Sequence, residues 1–189
     1  MLYLENKVCF TKKMTNRKLL FLLSAFLICA FLPSCSSQVK AKEARLTHHF
    51  VLGKTAYVGT DGRAVAPPKA PRAVKKMVAA ANELVEKPYL YGGGHRSFYD
   101  RGYDCSGATS YVLYKGGKLS SPLVSQNFFD YGKKGYGDWV NVYVRKGHVF
   151  LEIAGLRFDT GGTWNSTGPR WKPQSRGLKG YYVRHPRGL

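Results

Sequence analysis

Acidic side chains are scarce in this chain of 189 residues: 11 Asp and Glu stand against 30 Lys and Arg, a formal charge of +19. Such a balance excludes an acidic, cation-gathering surface and draws anionic partners instead, whether nucleic acid, lipid headgroups or envelope polymers. Cysteine is scarce as well, with four in all, and together with five scattered His residues they give no metal-ligand spacing. There is no phosphate-binding loop and no internal repeat. Chemistry without metal or cofactor is expected. What the chain does have is 44% hydrophobic residues, 14% aromatic residues and 21 Gly, enough to bury a core. Its length suits one domain, typically about 100–200 residues, plus an export segment.

The apolar run Leu19–Ile28 follows Lys12, Lys13, Arg17 and Lys18 and leads to Leu32-Pro33-Ser34-Cys35. A charged region, a short apolar region and a small-residue exit make the plan of a secretory signal. The run is shorter than the roughly 20 residues a spanning helix needs. The Leu-Pro-Ser-Cys step is similar to a bacterial lipobox, in which the Cys, here Cys35, becomes the lipidated first residue. Residues 1–34 are therefore expected as a signal peptide, with Met14 an alternative start. Their removal leaves +15 on the rest of the chain and takes away Cys9 and Cys29. With Cys35 joined to lipid, Cys105 is left without a disulfide partner in an oxidising compartment, so it is either an inert core thiol or a reactive one.

Residues 35–71, polar and basic at first and carrying Pro67, Pro68 and Pro71, read as a lipid-anchored tether. Within them, 49–52 and 55–58 flank Gly53-Lys54 as a marginal hairpin. From Ala73 to Val85 the apolar positions Val74, Met77, Val78, Ala81, Leu84 and Val85 recur at helical spacing and stop before Pro88. A Gly92-Gly93-Gly94 loop leads to Asp104-Cys105-Ser106-Gly107, and 108–114 reads as a helix closed by Gly116-Gly117. Beyond it the pattern is extended, over 139–144, 148–153, 156–160 after the Ala154-Gly155 turn, and 181–184. Helices first and antiparallel strands afterwards predict an α+β domain over 72–189.

Cys105 falls where a loop meets the start of a helix. Unpaired N–H groups and the helix dipole stabilise a thiolate there, and a nearby His lowers a thiol pKa from about 8.5 to roughly 3.5–7.5. The small Ser106 and Gly107 let a substrate backbone approach, and the Cys105 N–H helps to bind an oxyanion. His148 opens a strand and is the expected base, since Cys and His are the minimum machinery for covalent acyl transfer. A third polar group usually orients the imidazole. A two-residue hairpin over Ala154-Gly155 pairs Phe150 with Asp159 and puts Asp159 on the face of His148; a one-residue bulge would put Thr160 there instead. His48 and His49 fall in the tether, His95 in a loop and His185 near the C-terminus.

The segments Pro88-Tyr89-Leu90-Tyr91-Gly92-Gly93, Asp104-Cys105-Ser106-Gly107 and Gly147-His148-Val149 resemble the NlpC-type family of cell-wall cysteine peptidases, over roughly residues 75–160. The resemblance implies a papain-like fold, with the Cys at the start of a helix packed on an antiparallel sheet. It also implies hydrolysis of amide bonds in peptidoglycan stem peptides, typically beside a D-glutamyl or diaminopimelate residue. Tyr89 matches the family's active-site tyrosine, which contacts substrate. The family often has His as third member, and Thr160 occupies the ungapped position, so Asp159 and Thr160 both stay open. The stretch His95–Arg101 lengthens the loop before Cys105. The expected protein is a monomeric lipoprotein peptidase whose partners are peptidoglycan and membrane, not nucleic acid. Aromatics such as Trp164 and Trp171 on a basic chain would suit nucleic acid, which export argues against. The alternatives are an acyltransferase or amidase on the same site, or an inactive envelope-binding protein that uses its basic surface.

Overall fold

The computed structural model describes residues 38–41, 45–46, 50–161, 168–173 and 176–189. The signal segment 1–34, Cys35, His48, His49 and Trp164 lie outside the described residues. Among the described residues two α-helices precede the main sheet, and three short strands come before them in the chain. Helix α1, Arg72–Leu84, starts after Pro71, and its stripe of Val74, Met77, Val78, Ala81 and Leu84 is buried, as the spacing predicts. Helix α2, Cys105–Lys115, has lost its amphipathic pattern because it is central: every residue from Ser106 to Leu113 is buried. Full burial of each large apolar side chain contributes about 1.5–3 kcal/mol, so this helix is held by packing on all sides.

The described residues include ten short strands, in chain order β1 Arg45–Leu46, β2 Tyr57–Val58, β3 Ala64–Val65, β4 Lys133–Lys134, β5 Val140–Arg145, β6 His148–Ile153, β7 Leu156–Asp159, β8 Arg170–Lys172, β9 Arg176–Gly177 and β10 Tyr182–His185. Six form an antiparallel sheet in the order β4-β10-β5-β6-β7-β8, while β1 pairs with β9 and β2 with β3. The fold is α+β. Ala154 and Gly155 turn between β6 and β7 with φ of 48° and 73°, the left-handed pair that a tight hairpin demands. The sheet has two working faces. Val142, Val144, Val149 and Leu151 point into the main core, whereas the alternate residues Tyr143 and Phe150 join a second cluster with Leu178, Tyr181 and Val183.

Two expectations about the N-terminal part change. The compact unit begins at Gln38, so most of the stretch expected as a tether belongs to the domain. Lys40 bridges Tyr182, Val39 O accepts from Val183 N at 2.9 Å, and Ala41 N donates to Tyr181 O at 3.0 Å. These residues supply bonds that the edge of β10 otherwise lacks. The expected hairpin of 49–52 with 55–58 is replaced by β2 with β3, Tyr57 facing Val65. The Thr55 hydroxyl bonds Val51 N and Val51 O, closing residues 51–55 into a turn of their own. Asn82 of α1 then fixes the new hairpin: its amide pairs with Ala64 N and Ala64 O at 2.8 and 2.9 Å, and its Oδ1 also accepts from Trp171 Nε1 at 2.7 Å. Among the described residues no helix is long and apolar enough to cross a membrane.

Candidate active site

Cys105 is the first residue of α2, and its thiol is free and partly exposed. Asp104 is the N-cap: its backbone is extended, and its Oδ1 accepts from Gly107 N at 2.8 Å and from the Ser106 hydroxyl at 2.9 Å. An Asp in that position satisfies a donor that would otherwise be left over at the helix start. Gly107 is set so close under the Gly92–Gly94 loop that a Cβ on it would lie 1.9 Å from Gly93 O. Ser106 and Gly107 were expected to make room for a substrate. Instead Ser106, 2% exposed, turns its hydroxyl to Asp104, and the missing side chain of Gly107 admits the protein's own loop.

His148 opens β6 after the two-residue Lys146-Gly147 turn, opposite Arg145. Leu151 pairs with Phe158 and Ile153 with Leu156; continued, that register sets Asp159 across from Phe150, on the face of His148. Asp159 supplies the oxygen that meets the imidazole, with Oδ1 2.9 Å from His148 Nε2. Thr160, the competitor, is buried beside it. Gly161 N also donates to Asp159 Oδ1, at 2.8 Å, and a Cβ at Gly161 would come within 3.0 Å of the imidazole.

The electrostatics follow from burial and partners. Burial by itself disfavours the imidazolium, but the hydrogen bond that His148 donates to Asp159 and the influence of Cys105 outweigh it and raise the His148 pKa from 6.5 to about 9. With Nε2 committed to Asp159, Nδ1 is the ring nitrogen left over for another partner. The Asp159 side chain is fully enclosed. Burial alone would raise its pKa, yet the His148 hydrogen bond and charge, the Arg176 charge and the Gly161 N–H hold it below the usual carboxylate range. Arg157 and Arg176 set guanidinium nitrogens 3.5 and 3.3 Å from Asp159 Oδ2, which accepts no hydrogen bond. One carboxylate oxygen thus serves the imidazole and the other the two cations.

Tyr89 forms a bridge with Tyr103 and is 39% exposed. Burial first, then the charges of Cys105 and Asp104, push its phenol above 10, so it shares the neighbourhood of the thiol. Three residues of the site escaped the sequence reading. His95 was read as a loop residue, but its Nε2 lies 2.8 Å from Asp104 Oδ2 and 2.9 Å from the Ser106 hydroxyl. Its signal was the glycine run before it, with Gly92 and Gly94 at φ of 71° and 81°, which folds the chain back on itself. Arg157 sits two residues before Asp159, and strand alternation puts it on the same face. Arg176 had no local signal. His185 is engaged elsewhere, with Gly135 O at 2.9 Å. Among the described residues no group of three or more His, Cys, Asp or Glu is arranged to hold a metal ion.

No family model matches this chain, and no match is found among curated proteins.

Proposed function

We propose that the protein is a cysteine peptidase of papain-like fold, exported and lipid-anchored through Cys35, that hydrolyses amide bonds in peptidoglycan stem peptides. The observation that carries the chemistry is His148, bonded through Nε2 to a buried Asp159 and close enough to Cys105 for the thiol to raise its pKa. In that setting the imidazole holds the thiol proton and leaves sulfur as the nucleophile. Sulfur attacks the amide carbonyl carbon, and the oxyanion forms near the Cys105 N–H at the start of α2. Collapse breaks the C–N bond as His148 passes its proton to the leaving amine, giving a thioester. Water, deprotonated by the same imidazole, then attacks the thioester, releasing the acid and restoring the thiol.

The choice of substrate rests on the motifs around Tyr89, Cys105 and His148 that resemble the cell-wall peptidases, and on a basic chain with a signal-like start. Purified protein incubated with wall fragments is expected to generate new amino termini, which disappear in Cys105→Ala. Wall binding without cleavage by either form would point to an envelope-binding protein instead.

A further inference from the structure

We propose that His95 is a positioning residue for the Cys105 sulfur, acting through Asp104. The proposal rests on the reading of Cys105 as nucleophile. Asp104 directly precedes Cys105, and its carboxylate joins two pieces of chain. Oδ1 takes the Gly107 N–H and the Ser106 hydroxyl, both from α2. Oδ2 takes the Gly92 N–H at 3.2 Å and His95 Nε2 at 2.8 Å, both from the glycine loop. The carboxylate is therefore the rivet between the loop and the helix start that presents the sulfur.

A fixed negative charge next to a nucleophile that must itself become negative is unfavourable unless its field is drawn elsewhere. Tyr89 senses both charges, since Cys105 and Asp104 each push its phenol in the same direction. Three of the four donors on Asp104 are neutral backbone or hydroxyl groups. His95 is the one side-chain donor that comes from the loop, and it approaches Oδ2, the oxygen turned away from the helix cap. Its Nε2–H pulls carboxylate charge toward the loop and pins the loop at the same time. The loop has little slack of its own: Gly94 N is held by Asp100 Oδ2 at 3.0 Å, and a Cβ at Gly94 would meet Gly107 Cα at 2.8 Å. Losing the His95 bond releases one side of the rivet and leaves the charge of Asp104 concentrated beside sulfur.

The test uses the full chain and two readouts. Alkylation of Cys105 by iodoacetamide at pH 7, followed by peptide mass spectrometry to separate it from Cys9, Cys29 and Cys35, needs no substrate. Cleavage of wall fragments gives kcat and KM. His95→Ala is expected to slow Cys105 alkylation severalfold and to lower kcat about tenfold, the loss that one hydrogen bond to a charged group brings, with KM within twofold. His95→Gln, whose amide reaches the same place as Nε2, is expected to recover most of both. Native rates in His95→Ala overturn the proposal, as does His95→Gln no faster than His95→Ala while both melt like the native chain. Should His95→Ala fail to fold, His95→Gln decides alone: near-native alkylation supports the proposal and a tenfold loss overturns it. If the native protein cleaves no wall fragment, the alkylation rates still judge His95, so failure of the substrate reading is distinguishable from failure of this one.

Discussion

Two His–Asp pairs flank the same sulfur, and they differ in burial and in what else claims each carboxylate. In the pair on the sheet, His148 is 14% exposed and Asp159 not at all; in the pair at the helix start, His95 is 28% exposed and Asp104 8%. Asp159 shares one oxygen between His148 and the Gly161 N–H and gives the other to Arg157 and Arg176, so its side-chain partners are ionisable groups. Asp104 answers mainly to neutral donors, two backbone N–H groups and a hydroxyl. The same two residue types are thus arranged once to set a proton affinity and once to hold a backbone. Residue identity says little about a role until the second partner of each carboxylate is known.

That contrast can be broken in several ways. Cys105→Ala removes the atom both pairs serve and is expected to take cleavage of wall fragments to background. Asp159→Asn keeps the shape and removes the charge, and is expected to lower kcat about 100-fold while the His148 pKa, followed by NMR titration, drops from about 9. An unchanged titration in that variant would deny the sheet pair its electrostatic role. Gly107→Ala attacks the backbone side of the comparison: its Cβ meets Gly93 O, and thermal or denaturant melting is expected to show a loss of about 3 kcal/mol. Native stability there would mean the loop and helix are not in tight contact.

The pH response separates the pairs more gently. His148 has a raised folded-state pKa, so its contribution to stability is complete below about 6.5 and is lost as pH rises through about 9. Asp159 has a lowered one, so its contribution holds above 3.8 and is lost as pH falls below that value. Denaturant melts are expected to show stability falling between pH 6.5 and 9, with kcat declining on the same limb, and Asp159→Asn is expected to flatten both. Tyr89→Phe carries the smallest expected effect, about twofold to fivefold in kcat/KM with no change in Cys105 alkylation, because only a phenol contact to substrate is removed.

Much of this was legible in local pattern. The stripe on α1, the Asp-Cys-Ser-Gly step at a helix start and the turn at Ala154-Gly155 are short-range signals, and they brought Cys105, His148 and Asp159 together with the right register. What escaped was long-range. Arg176 reaches Asp159 from a strand far along the chain, and nothing beside it in sequence announces that contact. The 38–41 segment looked like a tether because its partners, Tyr181 and Val183, lie near the other end of the chain. Ser106 and Gly107 were misjudged because small residues near a nucleophile suit a substrate or a neighbouring loop equally well, and only the packed structure tells which is there.

The pairing of β1 with β9 has a temporal consequence. Arg45 and Leu46 are made early, and Arg176 and Gly177 are made almost last, so this ladder closes a loop that spans most of the domain. Arg176 is also the cation that grips Asp159. A chain whose last residues are not yet made lacks that grip, and the Asp159 carboxylate stays half-tethered until nearly the whole polypeptide is in place. Topology alone thus makes the full set of charges around Asp159 a late event in folding.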